Sequence, residues 1–170
     1  MGERLAEGTA LYTIGHSRLA PERFIELLRQ HHITLVVDVR SAPYSGIAPW
    51  FNKQPLQQSL QRHGIEYRFA GQELGGRPDT GEAYDAVGRV DYERMTGLPA
   101  YRQAIARLKQ LMRRERTCIM CSEGDYRQCH RHNLIGRTLQ NDGLTLHHIL
   151  SDGSLEASGP EAWYKQPGLA

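Results

Sequence analysis

Two hydrophobic periods alternate along the chain. Leu11-Tyr12-Thr13-Ile14 is a short β-prone run that ends at Gly15-His16-Ser17. Leu35-Val36-Val37-Asp38-Val39 is a second run, so nearly continuous in its apolar character that it suits a parallel strand covered on both faces, and it ends at Arg40. Ile65-Glu66-Tyr67-Arg68-Phe69 alternates as a third strand, Thr117 to Cys121 is a fourth, and Leu144 to Leu150 is a fifth. Between these runs the spacing becomes helical. Pro21 opens a helix whose apolar face is Phe24, Ile25, Leu27 and Leu28. Leu56 and Leu60 mark another that runs to His63 and stops at Gly64. Pro99 opens a third, with Tyr101, Ile105, Leu108, Leu111 and Met112 on one face. Arg113, Arg114 and Arg116 suit the negative end of its dipole. A last helix begins between Asp125 and Cys129 and runs to about Gln140, before Gly143.

Strands that alternate with helices imply βαβ units joined by right-handed crossovers. The expected architecture is a single three-layer α/β domain over residues 1–150, with a mostly parallel sheet of about five strands and helices on both faces. Residues 70–97 are glycine-rich with little periodicity. A loop of that length in a compact domain is usually functional, so it is read as a lid over the site. Residues 151–170, rich in Gly, Ser and Pro, read as a C-terminal tail.

Composition narrows the function classes. A chain of 170 residues can bury a full core without disulfides or metal. Three cysteines do not form a secreted disulfide scaffold. The first ten residues lack an apolar signal core and no run approaches membrane-spanning length, so a cytoplasmic protein with no membrane partner is expected. The net charge of +2 is too small to diagnose nucleic-acid binding by itself.

The candidate chemistry gathers at predicted strand ends, where open parallel sheets bind ligands. Three such ends carry polar groups: Gly15-His16-Ser17, Asp38-Val39-Arg40-Ser41, and Cys121-Ser122-Glu123. The last opens into Gly124-Asp125-Tyr126-Arg127-Gln128-Cys129-His130-Arg131, which brings two thiols, carboxylates, an imidazole and two guanidinium groups into one turn.

These residues resemble a family. Tyr12 to Ser17, Val37 to Ser41 with Pro43 and Ser45, Phe51-Asn52-Lys53, Leu74-Gly75-Gly76, Cys121 with Glu123, and Cys129-His130-Arg131 follow one another in the order seen in DUF488, a widespread domain of unknown function. The resemblance implies an α/β domain with these motifs around one pocket. It implies no reaction.

Four functional readings stand beside it. In the first, Arg40, Lys53, His130 and Arg131 converge on a small anionic or nucleotide-type substrate, since arginine favours planar oxyanions. His16, Ser17, Ser45 and Asn52 add donors, and Tyr44 stacks on a ring. Cys121 and Glu123 carry the chemistry, and Asp38 and Glu123 orient the arginines or act as general base. In the second, Cys121 to Arg127 is the C-x5-R spacing of a phosphate-binding loop with a nucleophilic thiolate, although Met120 and Gln128 depart from the phosphatase pattern. In the third, Cys121, Glu123, Cys129, His130 and His132 hold a metal. The metal-free reading is favoured over it, because Cys118 and Cys121 point to opposite faces of a strand and Cys129 and His130 are expected to diverge at a helix start. In the fourth, a basic surface that includes Arg113, Arg114 and Arg116 makes the protein a non-catalytic nucleic-acid or anion-binding module. The enzyme acting on a small anionic or nucleotide-type substrate is the leading expectation. Its cofactor requirement and oligomeric state are left open.

Overall fold

The computed structural model describes Leu5 and residues 9–159. Five strands run parallel: β1 (Ala10–Gly15), β2 (Leu35–Asp38), β3 (Glu66–Phe69), β4 (Thr117–Cys121) and β5 (Thr145–Ile149). A sixth, β6 (Leu155–Ser158), returns antiparallel beside β5. Their order across the sheet is β3-β2-β4-β1-β5-β6. The mostly parallel α/β sheet is therefore as expected, with six strands in place of five. The added strand falls in the stretch read as a tail, of which residues 160–170 lie outside the described residues.

Helices cover both faces. On one, α1 (Pro21–Gln30) and α2 (Lys53–Arg62) bury Phe24, Leu27, Leu28, Leu56 and Leu60 against Tyr12, Ile14, Val36, Cys118 and Met120. On the other, α3 (Gly71–Leu74), α4 (Tyr92–Gly97), α5 (Pro99–Arg114) and α6 (Arg137–Asn141) pack on Leu11, Leu35, Val37, Ile119 and Cys121. The period-two alternation of side chains explains the split: Cys118 and Met120 face α1 and α2, whereas Ile119 and Cys121 face α5. Cys118 and Cys121 accordingly lie on opposite faces.

This layering creates the site. From β1 the chain moves over one face to β2 and on to β3. It then reverses, passing over the other face to β4 and on to β5. Connections leaving the adjacent β1 and β4 thus depart to opposite sides, and the carboxyl ends of β1, β4 and β2 open a crevice at a topological switch point. Gly15 pairs with Cys121 and Asp38 with Met120, which puts all three strand ends level. Backbone bonds extend the alignment past the strands: His16 N–H donates to Cys121 O, Ser17 N–H to Ser122 O and Val39 N–H to Met120 O, at 2.9, 2.9 and 3.0 Å.

The 70–97 segment is more ordered than a structureless loop. It contains α3, a 3-10 turn at Gly81–Ala83, a bridge between Tyr84 and Val90, and α4. Asp91 caps α4 by accepting from the N–H groups of Glu93 and Arg94, and Met95 is buried beneath it. The helix expected from about Asp125 to Gln140 is broken into three: a 3-10 turn at Tyr126–Gln128, a π-helix at Arg131–Gly136, and α6. Single π turns of this kind recur at functional sites.

Candidate active site

β4 delivers Cys121 to the crevice, and the turn after it loops back through Cys129 to His130. His130 Nε2 lies 2.8 Å from the carbonyl oxygen of Val39, which can only accept, so Nε2 carries the proton and donates. Nδ1 is left facing two sulfurs, Cys121 Sγ at 3.8 Å and Cys129 Sγ at 3.7 Å. All three side chains are buried. Cys129 and His130 thus converge, contrary to the divergence expected of neighbours at a helix start. Cys129 has an extended backbone (φ −126°, ψ 143°) and His130 is already helical (φ −61°, ψ −22°). The change of conformation between them swings both side chains to one side.

The thiols differ sharply. Cys121 is held well below the ordinary thiol range, first by a hydrogen bond from the Cys129 thiol, then by the hydrogen bond and charge of His130 and by the Ser122 backbone, all against the opposing effect of burial. Cys129 is pushed up, first because its proton is held in the bond to Cys121 and then by burial. The two shifts run in opposite directions, so Cys121 is the more acidic thiol of the pair. Cys118 is pushed up by burial alone. Cys121 is therefore the most acidic of the three thiols, and a neighbouring thiol and imidazole make it so.

The other predicted residues divide into groups. Asp38, fully buried, accepts from Arg40 Nε (2.9 Å), Nη2 (2.8 Å) and backbone N–H (3.1 Å), and from the Tyr67 hydroxyl (2.6 Å). These four donors make it an anchor for Arg40. Arg40 also donates to Phe51 O, and its Nη1 lies 3.3 Å from His16 Nε2. His16 Nδ1 donates to Ser17 O, so Nε2 is the acceptor for Arg40 and the ring is neutral. Burial, the largest effect, holds its pKa down, and the charge of Arg40 adds to it. Phe51 stacks on that ring at 4.5 Å.

Arg131 is almost completely buried, and among the described residues its guanidinium hydrogen-bonds only neutral oxygens: Glu123 O at 2.6 Å, Gly124 O at 3.3 Å and Thr13 Oγ1 at 3.3 Å. Glu123 thus orients Arg131 through its backbone carbonyl and not its carboxylate, and Glu123 itself is exposed. Ser45 Oγ accepts from Ala48 N–H, and Asn52 Oδ1 accepts from Ser45 N–H, so both fold the 43–53 loop. The Lys53 ammonium sits 4.4 Å above the Phe69 ring, Tyr44 is well exposed, and Ser17 is exposed at the crevice rim with φ +44°. Arg127, the arginine of the C-x5-R spacing, is exposed and paired with Asp125 at 3.0 Å, so the phosphate-loop reading has no guanidinium turned to the sulfur.

Sequence reasoning missed part of the enclosure. Gly76 lies against His130, and a Cβ there would come within 3.1 Å of the ring atoms Cγ and Nδ1. Ser41 Oγ accepts from Arg77 N–H at 2.8 Å and ties the same segment to the end of β2. Tyr92 is close enough to the sulfurs for their charge, after burial, to raise its phenol pKa. The Leu74-Gly75-Gly76 motif was the available signal for the first of these. Nothing in the local pattern pointed to Tyr67 or Tyr92.

The model of the domain of unknown function DUF488 matches residues 20–137, well over half of the chain. The chain belongs to the DUF488 family. The match reaches from α1 into α6, so it takes in β2, β4 and the whole Cys121–His130–Arg131 turn of this DUF488 domain. No curated protein and no solved structure matches the chain. Among the described residues of this DUF488 protein, no helix is long and apolar enough to cross a membrane.

Proposed function

We propose that this protein is an enzyme that takes a small anionic or nucleotide-type substrate at the carboxyl ends of β1, β2 and β4, with Cys121 as nucleophile. The observation that carries the reading is the alignment of Cys121 Sγ, His130 Nδ1 and His130 Nε2 with Val39 O. A nucleophile, an imidazole within reach of it, and a third group that fixes the imidazole tautomer form the general arrangement of covalent catalysis. The Cys121 sulfur attacks an electrophilic centre of the substrate. His130 Nδ1 holds a proton beside the sulfur and delivers it to the leaving group.

Arg131 supports the anionic part of the reading. A buried guanidinium that meets only neutral oxygens keeps its full charge inside the crevice, and a buried charge calls for a counter-charge. The exposed Asp125 carboxylate supplies part of it, and an anionic substrate adds to it. Arg40 differs, because Asp38 already neutralises it. His16 and Arg40 therefore shape the wall, and Ser17, Ser122 and the exposed Glu123 carboxylate rim the opening. Glu123, two residues beyond Cys121 and exposed, is the candidate base for water in a second step.

Paired alkylation tests the reading without a known substrate. Reduced, chelator-treated protein is exposed at neutral pH to iodoacetate and, separately, to iodoacetamide, and each cysteine is followed by mass spectrometry. Cys121 should label first with both reagents. Its preference for the anionic reagent should exceed that of the same cysteine in the urea-unfolded chain. Slow, equal labelling of all three cysteines removes the nucleophile, and an unchanged reagent preference removes the anionic substrate.

A further inference from the structure

The nucleophilic reading leaves Cys129 without a task, although its sulfur sits as close to His130 as that of Cys121. Cys121, Cys129 and His130 bring Sγ, Sγ and Nδ1 within 4.8 Å of one another, all buried. We propose that these three side chains bind one thiophilic divalent cation, with zinc the best fit, leaving a fourth position open to water or an anionic ligand.

The geometry suits the ion. With Zn–S near 2.3 Å and Zn–N near 2.0–2.1 Å at tetrahedral angles, sulfur and nitrogen ligands stand about 3.5 Å apart. The two S···N separations here are 3.7 and 3.8 Å, so a contraction of a few tenths of an ångström seats the ion. The surroundings suit it too. Metal-bound imidazoles usually donate their other N–H to a carbonyl or carboxylate, which is what His130 Nε2 does with Val39 O. Each sulfur also has a backbone donor: Ser122 N–H at Cys121, and Arg131 N–H at Cys129 at 3.5 Å. Such donors stabilise two thiolates, whereas the empty site needs only one. Binding releases two protons, one from the Cys129 thiol and one from His130 Nδ1, and the cation with two thiolates and a neutral imidazole is electrically neutral, a favourable state for a buried cluster.

The inference concerns the same cluster as the proposed reaction but does not rest on it. A cation held there occupies the Cys121 sulfur and the His130 lone pair, so the metal-bound form is the one in which the nucleophile is masked.

Cobalt reports on the site directly. Reduced, chelator-stripped protein titrated with Co2+ should develop thiolate-to-metal charge-transfer absorption and intense visible bands of four-coordinate cobalt, saturating at one equivalent. Zn2+ should displace the bands stoichiometrically. Cys129→Ser should weaken binding by about a hundredfold or more, since it removes a ligand and even loss of an outer partner costs 10–100-fold. Cys118→Ala, on the opposite face of β4, should bind as wild type. Weak six-coordinate bands, no saturation, or equal affinity in Cys129→Ser overturns the site; circular dichroism confirms that the variant is folded, and the wild-type cobalt spectrum decides the matter if it is not. Alkylation separates the two ideas. Cobalt binding without selective Cys121 labelling of the stripped protein leaves the metal site and removes the nucleophile, and the converse result does the reverse.

Discussion

At the scale of single residues, the crevice is a set of buried polar groups whose hydrogen-bonding capacity is almost fully used. Asp38 shows what that implies. Its carboxylate meets four donors from Arg40 and Tyr67, and Arg40 depends on it for charge compensation. Asp38→Ala leaves a buried guanidinium unpaired, and such changes cost about 3–5 kcal/mol. Tyr67→Phe removes one donor and should cost about 1.5–3 kcal/mol, as expected for a hydrogen bond to a charged group. Urea unfolding of both variants checks the order, and equal losses would mean that Arg40 finds another partner. Gly76 is the opposite case. A methyl group at Gly76 would press on His130 at 3.1 Å, against Nδ1 itself. Gly76→Ala should therefore stay folded, with stability within about 1 kcal/mol of wild type, a modest loss for one tight contact. Its Cys121 alkylation should nevertheless slow. Wild-type labelling in that variant would show that the ring is not held by this contact.

At the scale of elements, Gly15 joins strand pairing to the site. A Cβ at this position would fall 1.7 Å from Glu123 O, on top of the carbonyl that Arg131 holds. Gly15→Ala should push the turn after β4 away from β1 and destabilise the domain by about 1–3 kcal/mol or more, the usual cost of overpacking. The shift should appear in the urea midpoint, and an unchanged midpoint would mean that the turn yields without loss. The same elements show how far the sequence could be read. The parallel strands were legible for two reasons: β1, β2 and β4 bury both faces and so show short apolar runs, and in β3 the buried Tyr67 alternates with the exposed Glu66 and Arg68. β6 was not. Leu155, Glu156 and Ala157 are exposed, and only Ser158 is buried, so no apolar period marks it. It is fixed by pairing with β5 and by the turn at Gly153, whose φ of +91° and carbonyl, bonded to Gln30 and His31, only the folded chain reveals. The three strand ends of the candidate site were legible as a set, since parallel strands must end on one edge. The Cys129–His130 convergence was not, because it depends on one backbone switch from extended to helical at adjacent residues, which periodicity does not encode.

At the scale of the molecule, a second buried polar cluster ties the site turn to the far edge of the sheet and sets how the whole fold responds to acid. His148 on β5 stacks face to face on Tyr126 at 3.6 Å, lies 2.7 Å from Thr13 Oγ1 through Nδ1, and approaches Ser158 Oγ through Nε2. His132, in the π-helix, meets both rings edge-on at 5.1 and 5.2 Å. Arg131 lies beside them, so their surroundings are apolar or positive, with Asp125 the opposing charge at His132. Burial first, and then the charge of Arg131, hold His132 down to about 4. Burial, followed by the charges of His132, Arg131 and His147, holds His148 to about 2. Both rings are neutral in the folded protein at neutral pH, whereas in the unfolded chain they titrate near the ordinary value of 6.5. Below that value the unfolded state binds more protons than the native one, so stability falls as pH falls. The contribution is complete above about pH 6.5 and is lost progressively toward pH 4, by an amount on the order of a few kcal/mol for the pair. The melting temperature should decline steadily from pH 7 to pH 4.5. In His148→Phe, which keeps the stack on Tyr126 but cannot take up a proton, the decline should be shallower even if the neutral-pH stability drops with the loss of the Thr13 contact. A wild-type melting temperature that stays level across this range would mean that the cluster takes up protons while folded.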